Sequence, residues 1–165
     1  MKYDEIYQQS ISDPEGFWSR AAQGVAWDRP FTQVTDTGDP IQRWFADGML
    51  NSCYNAVDRH VDAGHGDRAA IVYESAYTGA SETISYAQLQ DRVARFAGVM
   101  RKLGLQKGER VLIYMPMIPE ALVAMLACAR LGAVHSVVFG GFAAPELAVR
   151  IDDCTPRLVV SASCG

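Results

Sequence analysis

From residue 66 onward, short unbroken apolar runs alternate with longer stretches in which apolar residues recur every three or four positions. Ala69–Tyr73 reads as a strand, Tyr77-Thr78-Gly79-Ala80 as a turn, and Glu82–Ile84 as a short return strand. Ser85-x-x-Gln88 has the residues of a capping box and predicts a helix start. Leu89, Val93, Phe96, Ala97, Met100 and Leu103 then share one helical face, and Gly104 ends it. Lys107-Gly108-Glu109 is a turn. Val111–Met115 is apolar in succession, which predicts a strand buried on both faces. Pro119-Glu120 opens a helix that is apolar nearly all round through Leu131, and Gly132 closes it. Val134–Phe139 reads as another buried strand. Pro145-Glu146 starts a helix reaching to about Asp152, and Leu158–Ser161 is a third strand. This order predicts an α/β fold built on a parallel βαβαβ sheet.

The first 65 residues have a different character. Asp13-Pro14-Glu15 is a helix-start signal: a capping carboxylate, proline at the first helical position, then an acid. Phe17, Trp18 and Trp27 follow, and Asp28-Arg29-Pro30 breaks the helix. Thr32–Pro40 is small and polar and predicts a loop. Leu50, Tyr54, Val57 and Val61 fall at helical spacing, with Gly64 as a stop. Residues 1–65 are therefore expected to be a helical, aromatic-rich preface to a second region at 66–165. Three parallel strands need helices on both faces and further strands at their edges. The chain ends too soon to supply them, so it is expected to be the front part of something larger, an incomplete domain.

Composition narrows the function. Of 165 residues, 49% are hydrophobic and 21% charged, as in an ordinary globular protein. The net charge of −4, without any cluster of five or more basic residues, argues against a nucleic-acid surface. Cys53, Cys128, Cys154 and Cys164 form no CxxC pair and read as reduced thiols, mostly small buried apolar residues. The N-terminus MKYDEIYQQS lacks a signal or transit pattern. The most apolar segment, Ala121–Ala133, is too short to span a bilayer and contains Arg130. A soluble, cytoplasmic protein is expected, with no membrane partner.

The residues with chemical potential are few. Phe139-Gly140-Gly141-Phe142 stands where a strand ends and a helix is about to begin. Ligands of open parallel sheets bind beyond the carboxyl ends of strands, and glycines there allow close backbone approach. A plain tight connection accounts for the same residues, and both readings stand. The dinucleotide fingerprint and the phosphate loop are absent. Pro116 and Pro119 stiffen the connection after the preceding strand, and Glu120 reads as a helix-start charge. His60, His65 and His135 are too dispersed for a metal site, and His135 reads as a core histidine. Asp58-Arg59-His60 reads as an ion pair or a contact to another part of the protein, because adjacent helical residues diverge. No catalytic and no metal-binding residue is assigned.

Three segments carry a resemblance. WFADGMLNSCYNAVDRH, GERVLIYMPMIPEALVAMLACARLGAVHSVVFGGFA and RIDD resemble the N-terminal region of short-chain acyl-CoA synthetases, the acetyl- and propionyl-CoA synthetase group. The likeness runs along essentially the whole chain. YQQSISDPEGFW and RLVVSASCG are closer to propionyl-CoA synthetases. The resemblance implies residues 1–65 as the N-terminal helical region and 66–165 as the beginning of a large adenylating domain. It implies an AMP-forming ligase: a carboxylate, propionate or acetate, attacks ATP with magnesium to give acyl-adenylate, and coenzyme A displaces AMP. It places Phe139, Gly140 and Gly141 beside the adenine end of coenzyme A, with the ring as apolar contact and the glycines as clearance. The family's phosphate loop with its lysine, the adenine and ribose motifs, the acyl pocket and the catalytic lysine are missing. The chain alone is thus expected to be inactive, with ATP and magnesium sites in the remainder of the parent enzyme. A catalytically dead remnant acting as an interaction or nucleotide-binding module is the alternative.

Overall fold

The computed structural model describes residues 2–36, 38 and 41–163. The chain divides into two compact units, Met1–Asn51 and Ser52–Gly165. The division lies upstream of residue 65, and the helical segment 52–65 belongs to the second unit.

The first unit opens with a helix the apolar pattern did not announce. At the start of helix α1 (Tyr3–Ser12) the Glu5 side chain reaches back, and the Lys2 main-chain N–H donates to its Oε2 at 3.0 Å. Asp13 then caps α2 (Pro14–Ala21), accepting from the Gly16 N–H at 3.0 Å with Pro14 in the first turn, as the sequence signal requires. The helix ends well before Asp28-Arg29-Pro30, in a single 3₁₀ turn at Ala22–Gly24. The indole N–H of Trp27 reaches back to the Ala22 carbonyl at 2.9 Å and folds the chain over at that point. Rings of Trp27, Phe31 and Phe45 then pack with centroids 4.6–5.6 Å apart. The expected loop contains a short strand, β1 (Thr35–Asp36), paired antiparallel with β2 (Arg43–Trp44). Pro40 lies outside the described residues. Among the described residues of this unit only Ala22 and Thr35 are buried.

The second unit begins with the helical segment 52–65. Leu50 lies outside it, and its hydrogen bonding is widened to π-type over Tyr54–Asp58 and Val61–His65. Gly64 takes φ +80°, the left-handed conformation that the stop signal implied. Strands β3 (Ala69–Glu74) and β4 (Ser81–Ser85) form a hairpin. Ser85 and Gln88 cap α3 (Tyr86–Lys102) reciprocally, at 3.3 and 2.8 Å. The parallel sheet has the order β6-β5-β7, from β5 (Arg110–Met115), β6 (Val134–Phe139) and β7 (Leu158–Ser161). Between them lie α4 (Pro119–Leu131) and α5 (Ala144–Cys154), and Gly132 closes α4 at φ +69°.

The core lies on one face of β5. Val111 and Ile113 are fully buried there with Val93, Met100, Ala124 and Cys128 from α3 and α4. Strand β6 departs from expectation. Val134, Val137 and Phe139 are 50–55% exposed, and only Val138 is buried. As an outer strand it lacks a neighbour beyond it among the described residues.

Asp58 answers the question raised by its sequence context: it contacts another part of the protein. Both carboxylate oxygens accept from Arg130 Nη2, at 2.6 and 2.7 Å, and Oδ1 also accepts from Gln90 Nε2 at 2.8 Å. The pair is shielded, with side chains 24% and 17% exposed. Arg130 Nε also points at Cys53 Sγ, 3.5 Å away. Arg130→Met alone is expected to cost about 3 kcal/mol in urea unfolding, because a shielded carboxylate loses its partner. Adding Asp58→Leu should restore stability to within about 1 kcal/mol of the parent.

The thiols Cys53, Cys128 and Cys154 are free. Burial pushes Cys128 up to about 11 and raises Cys53 as well, the latter against the opposing influence of Arg130. Cys164 lies outside the described residues. Of the three described thiols, iodoacetamide at about pH 8 is expected to label Cys154 first, and Cys53 and Cys128 only on unfolding, as peptide mass mapping will read.

Candidate functional site

The site is built where β5 and β6 end together, since Met115 and Phe139 are register partners in the last row of the sheet. Beyond that row the chain must turn from β6 into α5. The Gly140 N–H donates to the Met115 carbonyl at 3.0 Å, and the Phe142 N–H returns to the Phe139 carbonyl at 3.1 Å. A Cβ on Gly140 would stand 2.8 Å from the Met115 carbonyl carbon and the Pro116 nitrogen, both main-chain atoms. A Cβ on Gly141 would stand 2.7 Å from Cε1 of the Phe139 ring. The space that the two glycines leave open is thus taken by the protein's own atoms.

What the turn offers outward is aromatic. Phe139 is 53% exposed. Its ring meets Phe142 edge to face, with centroids 6.2 Å apart. The Arg150 guanidinium lies 5.4 Å from the Phe142 ring centroid and donates to Glu146 Oε2 at 3.1 Å. Tyr114 Oη donates to the Phe142 carbonyl at 2.6 Å. Beside the turn opens an apolar cavity of about 690 Å³, with Tyr73, Met115, Met117, Leu122, Phe139 and Phe142 among its lining. Such a surface can take the face of a flat ring. It holds no nucleophile or base poised for chemistry.

The structure brings Phe139, Gly140 and Gly141 together at one turn. It leaves the histidines apart: His60 packs on Tyr86 at 4.9 Å, and His135 is half-buried in β6. No group of three or more His, Cys, Asp or Glu that could hold a metal ion occurs among the described residues. Glu120 sits in the first turn of α4, as its place after Pro119 implied. Sequence reasoning missed Tyr114 and Arg150, and placed Phe142 in the candidate stretch without giving it a role. Strand alternation could have paired Tyr114 with whatever covers that face, but the partner lies 28 residues away across a helical crossover.

A family model described as AMP-binding enzyme matches residues 57–164. The chain belongs to this family. A second model, for the acetyl-coenzyme A synthetase N-terminus, matches residues 3–56. An uncharacterized protein of Pseudomonas aeruginosa is 54% identical over 166 residues, covering 100% of this chain and 26% of the relative. The mitochondrial acyl-CoA synthetase short-chain family member 3 of Rattus norvegicus is 50% identical over 165 residues, covering 99% of this chain and 24% of the relative. The acetyl-coenzyme A synthetase of Streptomyces avermitilis is 52% identical over 162 residues, covering 98% and 25%. The chain therefore spans about a quarter of the length of the curated relatives it matches. None of its helices, among the described residues, is long and apolar enough to cross a membrane.

The glycines give a direct test of how the turn is built. Gly140→Ala is expected to destabilise by about 1–3 kcal/mol, since main-chain atoms of the neighbouring strand must shift. Gly98, in the exposed interior of α3, has nothing within 4 Å of its Cβ direction. Gly98→Ala should stabilise by about 0.5–1 kcal/mol in the same urea titration.

Proposed function

We propose that this chain is part of an AMP-forming acyl-CoA ligase acting on propionate or acetate. The observation that carries the reading is the run of adjoining family matches over residues 3–56 and 57–164. Relatives named as acyl-CoA and acetyl-CoA synthetases, about half identical along nearly the whole chain, support it. In the proposed reaction the carboxylate oxygen attacks the α-phosphorus of ATP, and pyrophosphate leaves. The thiol of coenzyme A then attacks the acyl carbonyl, and AMP leaves. Propionate is favoured over acetate by YQQSISDPEGFW and RLVVSASCG. Free thiols support a reducing, cytoplasmic setting.

Within this reading, residues 1–65 are the N-terminal region and 66–165 begin the adenylating domain. ATP and magnesium are assigned to the remainder of the parent enzyme, since the phosphate-loop pattern does not occur in this sequence. Phe139, Gly140 and Gly141 receive the adenine end of coenzyme A. The half-exposed Phe139 ring supports this assignment, since a flat base stacks on an aromatic face without needing polar partners. The glycines contribute by letting the turn fold tightly enough to present that ring.

The full-length protein is expected to catalyse ATP–pyrophosphate exchange that depends on propionate or acetate, and residues 1–165 alone to catalyse none. Exchange by the isolated 165 residues, or none by the full-length protein with either acid, would overturn the reading. Phe139→Ala in the full-length protein should raise KM for coenzyme A by about tenfold, which steady-state kinetics will measure.

A further inference from the structure

Helix α5 buries none of its residues. Leu147 and Ile151 are only part-buried. Polar side chains of β5 tie both ends of the helix to the sheet. Alternation along the strand places Arg110, Leu112 and Tyr114 on one face. Arg110 holds the far end of α5, donating from Nε to the Cys154 carbonyl at 2.9 Å and from Nη2 to the Thr155 carbonyl at 3.1 Å and Oγ1 at 3.0 Å. Tyr114 holds the near end through the Phe142 carbonyl, one residue before the N-cap Ala143.

That carbonyl lies one residue before the N-cap, outside the helix, where no intrahelical N–H is due to it. The tyrosine hydroxyl donates to it and ties the exit of the turn to the central strand. The entry of the turn is tied to the same strand by the Gly140 N–H on the Met115 carbonyl. The Phe139 and Phe142 rings, in edge contact, are thus held from both sides by consecutive residues of β5.

We infer that Tyr114 is a positioning residue for coenzyme A: its hydroxyl pins the Phe142 carbonyl and so fixes the Phe139 ring face on which the adenine rests. The inference depends on the coenzyme A reading of this turn. Tyr114 touches no reacting atom. Its effect belongs in coenzyme A affinity and not in adenylate formation, which precedes coenzyme A.

The test compares Tyr114→Phe, Arg110→Met and Phe139→Ala in the full-length protein. Tyr114→Phe keeps the ring and deletes one hydrogen bond, which corresponds to about a three- to tenfold rise in KM for coenzyme A. The expected result is that rise, a much smaller effect on carboxylate-dependent pyrophosphate exchange, and faster amide hydrogen exchange across residues 139–143. Unchanged KM in Tyr114→Phe, while Phe139→Ala raises it, overturns the inference and leaves the coenzyme A reading standing. Unchanged KM in Phe139→Ala overturns the coenzyme A reading itself, and this inference with it. An equal loss in both half-reactions, or an equal rise in KM from Arg110→Met, would make Tyr114 a general support of α5 and would also overturn the inference.

Discussion

The burial of β5 is the constraint on which the second unit depends. Val111, Leu112 and Ile113 have no exposed surface at all. A strand in that position must satisfy its main chain through neighbours on both edges, and it does so with β6 and β7 in parallel register. Its two faces do different work. One joins the apolar core under α3 and α4. The other holds α5 through Arg110 and Tyr114, with Leu112 buried between them. Because β5 and β6 end in the same row, the turn after β6 is set at the edge of the sheet, where a ligand can reach it.

Elements that write their own local chemistry could be read from the sequence. Asp13-Pro14 and Ser85-x-x-Gln88 satisfy helix N–H groups within one turn, so three or four residues suffice. Strand β5 was legible because burial on both faces demands an unbroken apolar run. Helix α1 was not, because none of its residues is buried and no apolar stripe is required of it. The short pairing of β1 with β2 was also hidden, since two residues carry no periodicity. Exposure of β6 followed from its place in the strand order, and the apolar run of an edge strand looks like that of a central one.

The candidate site was half legible for a similar reason. Phe139-Gly140-Gly141 stand in sequence, so their shared turn is visible in the chain. Whether the glycines leave room for a ligand or for the protein itself depends on what faces them. Gly140 faces Met115 and Pro116, at the end of another strand, and Gly141 faces the Phe139 ring. The hydroxyl of Tyr114 and the guanidinium of Arg150 enter only through the crossover and the helix that follows.

The Asp58–Arg130 pair shows the same dependence on long-range contact, with a different consequence. Charges withdrawn from water are costly, and apolar residues of similar volume could fill the place at little loss. A π-type segment, however, has widened hydrogen bonding and a poor intrinsic claim to one register. Asp58 closes the first such turn, Tyr54–Asp58, and its carboxylate is met by α3 through Gln90 and by α4 through Arg130. Apolar packing of Cys53 and Val57 in the core already seats the segment. Three directed hydrogen bonds to one carboxylate add to this, because any rotation leaves a shielded charge without partners. The pair thus joins residues 52–65 to both α3 and α4 beside the core contacts of Cys53 and Val57, while its net contribution to stability is small.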